Sequence, residues 1–214
     1  MSLIFSAASC ETRKDKPISS NSKSDTLPLP ANNTTFYFET KLDRQDTINN
    51  TVDSFLNSWF SKILFSLQEP VLKDYKGDKE VYRFTWLRTF NHPVVVRLEK
   101  QGKIVKAFSK VSDGAGGYEP EGIIFDTTFS LTQKQINTIN FKLGIEKFLD
   151  RQTELRTVGE YGSKWIIEVY KEQKYHVVIR WTPEKGTFFR AIGEYLFSIS
   201  QIENEMKGRN NGDY

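Results

Sequence analysis

The chain has 214 residues, with 30 Lys and Arg against 27 Asp and Glu and a formal net charge of +3. A hydrophobic content of 38%, with 16 Phe, 9 Tyr and 4 Trp, excludes an intrinsically disordered chain, and the nearly balanced charge gives no electrostatic reason to expect a nucleic-acid partner. The single cysteine excludes an internal disulfide and a cysteine-rich metal site; no run of ~18 or more apolar residues is present to cross a membrane as a helix.

At ~100–200 residues per domain the length fits one domain with appendages. Residues 1–9 read as the remnant of a lipoprotein signal. A short apolar run leads to Ala7-Ala8-Ser9-Cys10, which resembles a bacterial lipobox and makes Cys10 the expected lipidation site. The run is shorter than the ~7–15 apolar residues of an ordinary signal core and lacks a basic start. A free cysteine in a disordered N-terminus is the competing reading. Residues 10–34 are rich in Ser, Thr, Asn, Lys and Pro, a composition suited to a flexible tether. Residues 35–206 are expected to form a single α+β domain, and 207–214 a polar tail.

Within the domain, residues 35–39 suggest a short strand. From Ile48 to Leu67, apolar residues at Val52, Phe55, Leu56, Trp59, Phe60, Ile63 and Leu64 recur at helical spacing, with Asn49, Asn50, Asp53, Asn57 and Ser61 as the polar side. Glu69-Pro70 ends that helix. Residues 80–90, 94–98 and 104–111 then read as an antiparallel meander, followed by the glycine-rich loop 113–118 and a strand over 122–130. The lysines at 100, 103, 106 and 110 are expected on a solvated face. Thr132 and Gln135 form a capping-box pattern at the start of a second helix that ends near Gly144.

Residues 164–181 read as a hairpin. Trp165, Ile167 and Val169 share one face of its first arm; Tyr175, Val177, Ile179 and Trp181 share one face of the second. Pro183 and Gly186 break the run, and a helix from about Thr187 carries Phe189, Ile192, Leu196 and Ile199 on one stripe. Trp165, Trp181, Phe189 and Leu196 are the expected core anchors. The fold expectation is therefore α+β: an antiparallel β-meander sheet with helices packed on one face. The chain reads strand meander then helix twice, which leaves open two similar meander–helix halves, although the side-chain matches between them are too thin to claim a duplication.

The runs Trp165–Glu168, Tyr175–Pro183, Tyr82–Phe90 and Asp113–Tyr118 resemble motifs in a family of uncharacterised bacterial proteins, many of them secreted or lipid-anchored. The resemblance spans roughly residues 80–200. It implies a domain type and a place in the bacterial cell envelope, facing the periplasm or the surface, and brings with it no assigned activity.

The sequence carries little recognisable catalytic chemistry. The two histidines, His92 and His176, have no metal-binding spacing, no G-x-S-x-G is present, and no cofactor motif appears. The loop Gly114-Ala115-Gly116-Gly117 leads into a strand rather than a helix, which does not suit a phosphate cradle. One constellation remains, with Arg88, His92 and Asp113 beside it: Arg83, Arg97, His176 and Arg180 interrupt apolar strands and, on one sheet face, would line a cleft for a carboxylate or phosphate. Pairing of those arginines with Glu80, Glu99 or Glu168 on a solvated face is the alternative. Two functions follow: an envelope-anchored lipoprotein whose domain binds a protein partner without catalysis, in the manner of an immunity or inhibitor protein, or a small-ligand-binding or hydrolytic enzyme using the Arg/His face.

Overall fold

The computed structural model describes residues 25–41, 50–116, 120–145, 147–154 and 162–205. Two short strands, β1 (Glu39–Thr40) and β2 (Thr51–Val52), form a small parallel ladder. Helix α1 spans Ser54–Ser66. Strands β3 (Glu80–Arg88), β4 (Val94–Gln101), β5 (Ile104–Ser112) and β6 (Ile123–Ser130) lead to helix α2 (Gln133–Ile145). Strands β7 (Ser163–Lys171) and β8 (Lys174–Trp181) lead to α3 (Phe188–Ser198) and the short α4 (Ile202–Glu205). The sheet order is β6-β5-β4-β3-β7-β8, antiparallel throughout. This is the expected α+β meander.

The helices, however, are divided between the two faces. Tyr82, Phe84 and Trp86 of β3, Val94, Val96 and Leu98 of β4, and Trp165, Ile167 and Val169 of β7 pack against Ile136 and Ile139 of α2 and Phe189, Ile192 and Leu196 of α3. The alternate residues Leu87, Val95, Ile166, Val177 and Ile179 pack against Phe60, Ile63 and Leu64 of α1. A strand covered on both sides reads as a continuous apolar run rather than an alternation, and Val81–Leu87 and Trp165–Tyr170 are buried on both sides. Reading only the alternate positions of these runs leads to the expectation of a single covered face.

The same geometry sorts the hairpin. Trp165 lies opposite Arg180 and Val169 opposite His176, so Tyr175, Val177 and Ile179 belong to the α1 side. Trp165, Phe189 and Leu196 are buried; Trp181, by contrast, is only half-buried. Glu172 and Gln173 take φ of 52° and 62°, the paired left-handed conformation that matches the twist of a two-residue hairpin turn.

The first helix is shorter than its apolar pattern implied. Asn50 adopts φ 72° and Asp53 is the N-cap, its side chain accepting from Phe55 N–H. Val52 therefore belongs to β2. Two residues assigned to the polar side are buried: Asn57 and Ser61 are 0% and 3% exposed, whereas Phe55, in the apolar stripe, is 74% exposed. Asn57 Nδ2 donates to the Phe38 carbonyl at 2.7 Å, and Ser61 Oγ accepts from Tyr37 N–H at 3.0 Å. They stand in for the strand partners that residues 37–38 lack.

The domain also starts earlier than residue 35. Leu27 is buried with Leu72, Tyr75, Val81 and Tyr170, and the Pro28 carbonyl accepts from Val71 N–H at 2.8 Å.

Candidate functional site

The interrupting arginines do not meet in one cleft. Arg83 of β3 and Arg97 of β4 are cross-strand neighbours on the α1 side, where two like charges would repel. Glu69, in the connector just after α1, separates them. Its Oε2 lies 2.8 Å from Arg97 Nε and 3.6 Å from Arg83 Nη1. Glu168 of β7 takes Arg83 in a fork, Nε to Oε2 at 2.6 Å and Nη2 to Oε1 at 2.7 Å, while Arg83 Nη1 donates to the Pro70 carbonyl at 2.7 Å. Tyr175 donates to Glu168 Oε1 at 2.9 Å, and Arg97 also pairs with Glu99. Such bidentate geometry is what makes an arginine pair tolerable in an interior.

Lys110, expected in solvent, joins this network. Its Nζ donates to the Leu67 carbonyl at 2.7 Å and lies 3.2 Å from Glu69 Oε1. It thus caps the last carbonyls of α1, where a cation is favoured. Lys103 and Lys106 are exposed, as expected. Burial alone would raise the Glu69 pKa, but Arg97, Arg83 and Lys110 more than offset it and hold the carboxyl below its ordinary value. Burial likewise opposes the Arg83 charge, and Glu168 and Glu69 outweigh it. The side chains of Arg83, Glu69 and Glu168 are all 0% exposed. No solute can reach them, so the network binds elements together rather than substrate.

His176 and Arg180 lie on the opposite face. His176 Nε2 is 2.7 Å from the Arg151 carbonyl, and burial pushes the imidazole below its ordinary pKa. Arg180 donates to the carbonyls of Gln152, Thr153 and Ile179. Both residues therefore fasten the segment 151–154 to β8. Arg88 donates to the His92 carbonyl at 2.9 Å and stacks 4.6 Å from the Trp86 ring centroid. Cys10 lies outside the described residues.

The glycine-rich loop is docked where it is described. Gly116 N–H donates to the Asn91 carbonyl at 3.0 Å, Trp59 Nε1 donates to the Gly116 carbonyl at 3.0 Å, and His92 Nδ1 is 2.9 Å from the Gly114 carbonyl. A Cβ at Gly116 would sit 2.6 Å from the Arg88 carbonyl oxygen, so the close approach needs glycine. The backbone amides of Gly114 and Gly116 are thereby committed to protein, the former to Asp113 Oδ1.

A cleft of about 340 Å³ opens where the sequence placed nothing, between the C-terminal end of α2, the turn at Phe148–Asp150 and the ends of β3 and β7. Tyr82, Leu143, Phe148, Leu149 and Val169 form its apolar wall; Lys147, Asp150, Lys171 and Glu172 form a rim of mixed charge. Lys147, in the left-handed conformation at φ 46°, makes the sharp turn that folds Phe148 beneath the helix. Tyr82 donates to Glu80 Oε2 at 2.6 Å, and burial and that hydrogen bond raise its pKa. At the low end of the ~300–1,000 Å³ range of ligand sites, the cleft suits one apolar group with polar flanks. The sequence does not mark this cleft, because Leu143, Phe148 and Val169 carry ordinary core signals and only the gap between elements makes them a site.

Among the described residues, no cluster of His, Cys, Asp and Glu is arranged to hold a metal, and no helix is long and apolar enough to cross a membrane. Comparison with known proteins finds no matching family model, no similar curated protein and no similar solved structure.

Proposed function

We propose that the protein is a binding module without catalysis, tethered to the bacterial envelope through Cys10, whose α2–sheet cleft takes an apolar side chain of a protein partner. The observation that carries the reading is the cleft itself: an open apolar wall behind a rim of two lysines and two acids. Such a rim matches the polar backbone and flanks of a peptide better than a single small anion. The buried pairing of Arg83 and Arg97 supports it further, because those guanidiniums are engaged within the fold. The tether rests on the lipobox-like Ala7–Cys10 and the polar stretch after it.

Two measurements test the two parts. Metabolic labelling with an alkyne fatty acid is expected to mark the chain, and Cys10→Ser to abolish the mark; an unlabelled chain refutes the anchor. A photo-crosslinking amino acid at Leu149, in the apolar wall and 38% exposed, is expected to trap one discrete protein in the cell envelope, while the same probe at Ile104, 65% exposed and not part of the cleft lining, does not. Identical patterns from both positions would refute the cleft as the binding site.

A further inference from the structure

The sheet has two edges, and they differ. On β8 outward groups along the middle of the strand are occupied: Ile179 N–H donates to the Thr153 carbonyl at 2.7 Å, Val177 N–H donates to Asn50 Oδ1 at 2.9 Å, and the Tyr175 carbonyl accepts from Asn50 Nδ2 at 3.0 Å. On β6, among the described residues, no partner meets the outward groups of Ile123–Ser130; its ladder runs to β5 alone. Edge strands are normally blunted by lysine, proline, a bulge or a covering segment. β6 is eight residues long, contains neither lysine nor proline, and its one irregularity lies at the far end, opposite Val111 and Ser112. Asp126 is its sole charge.

The strand is also self-complementary. Phe125, Thr127 and Phe129 point to the helix-α2 face, and Asp126, Thr128 and Ser130 to the other. A two-fold axis normal to the sheet keeps those faces aligned between copies, so opposed residues must share a face. A pairing centred on Asp126 would oppose two like charges. One centred on Thr127 places Phe125 against the other copy's Phe129, twice, and Asp126 against Thr128. Aromatic cross-strand pairs are the favourable kind.

We infer that β6 pairs antiparallel with β6 of a second copy of this chain, about a two-fold axis at Thr127, making one continuous twelve-stranded sheet. The blocked β8 edge stops further addition, so association closes at the dimer instead of running on to a filament.

Sedimentation equilibrium on the full chain carrying Cys10→Ser is expected to show reversible dimers. Hydrogen exchange of β6 amides should slow as concentration rises, while β8 amides do not change. Adjacent N–H groups of a strand point in opposite directions, so of Thr127→Pro and Thr128→Pro one removes an outward donor and the other a ladder donor. The outward one should yield a folded monomer. Thr127→Cys should form an intermolecular disulfide under an added oxidant, and Thr128→Cys should not. A chain that stays monomeric into the high micromolar range, or a dimer whose β6 amides exchange as in dilute protein, overturns the inference.

Discussion

Glu69 shows how far one residue can organise this interior. It touches Arg83, Arg97 and Lys110, and its backbone carbonyl accepts from Tyr37 Oη at 2.7 Å. Removing one member of a buried ion pair strands the other, at a cost of about 3–5 kcal/mol. Arg83→Met should therefore lower the unfolding free energy by that amount in urea titration, and the Arg83→Met, Glu168→Leu double variant should recover part of it. Loss by the single variant no greater than for an exposed pair such as Lys73–Asp74 would show that the network contributes little. The pH profile follows from the same group. The Glu69 pKa is lower in the folded state than the ordinary 4.5, so its contribution is complete above that value and is lost as pH falls through the folded one. Buried His176 adds an earlier limb: its folded pKa lies below the ordinary 6.5, protons favour the unfolded chain, and stability begins to fall as pH drops below 6.5. His176→Gln, which keeps a donor for the Arg151 carbonyl, should erase the upper limb and leave the lower. Denaturation midpoints recorded against pH would show one limb or two.

Elements were legible in the sequence to different depths. The strands announced themselves through runs such as Tyr82–Trp86, and α2 through its capping box, with Thr132 N–H donating to Gln135 Oε1 at 2.8 Å. The assignment of helices to faces was not legible, because β3 and β7 are buried on both sides and carry no alternation to read. Nor was the role of Arg83: its partners Glu69 and Glu168 come from a connector and another strand, and only the fold brings them together. Gly193 is the subtlest case. The apolar stripe of α3 gives it no signal, yet a Cβ there would lie 2.5 Å from the Trp165 ring and 3.0 Å from Phe84. Glycine lets α3 settle onto the two aromatics. Gly193→Ala improves helix propensity but overpacks a close contact, and overpacking costs typically about 1–3 kcal/mol. We expect net destabilisation and a changed Trp165 fluorescence environment. A variant as stable as the parent would mean that α3 can lift off the sheet without loss.

At the scale of the molecule, one sheet serves two cores. The α1 core and the α2–α3 core share β3, β4 and β7 as a common wall, so damage to that wall should be felt on both sides. Residues 25–34 belong to this assembly rather than to a linker. Leu27, 8% exposed, fills a third cluster over Tyr75 and Tyr170, whose rings meet edge to face at 4.8 Å. Pro28 is hydrogen-bonded to Val71, next to the Pro70 carbonyl that receives Arg83. This segment therefore braces the connector that carries Glu69. A deletion through residue 34 should destabilise the domain relative to a deletion through residue 24, by at least the roughly 1.5–3 kcal/mol that burying a leucine contributes. Leu27→Ala in the full chain should reproduce much of that difference, and hydrogen exchange at Val71 should quicken in the deletion. Equal urea midpoints for the two deletions would place the start of the folded domain after residue 34 and leave the buried charges to be held by the sheet and α1 alone.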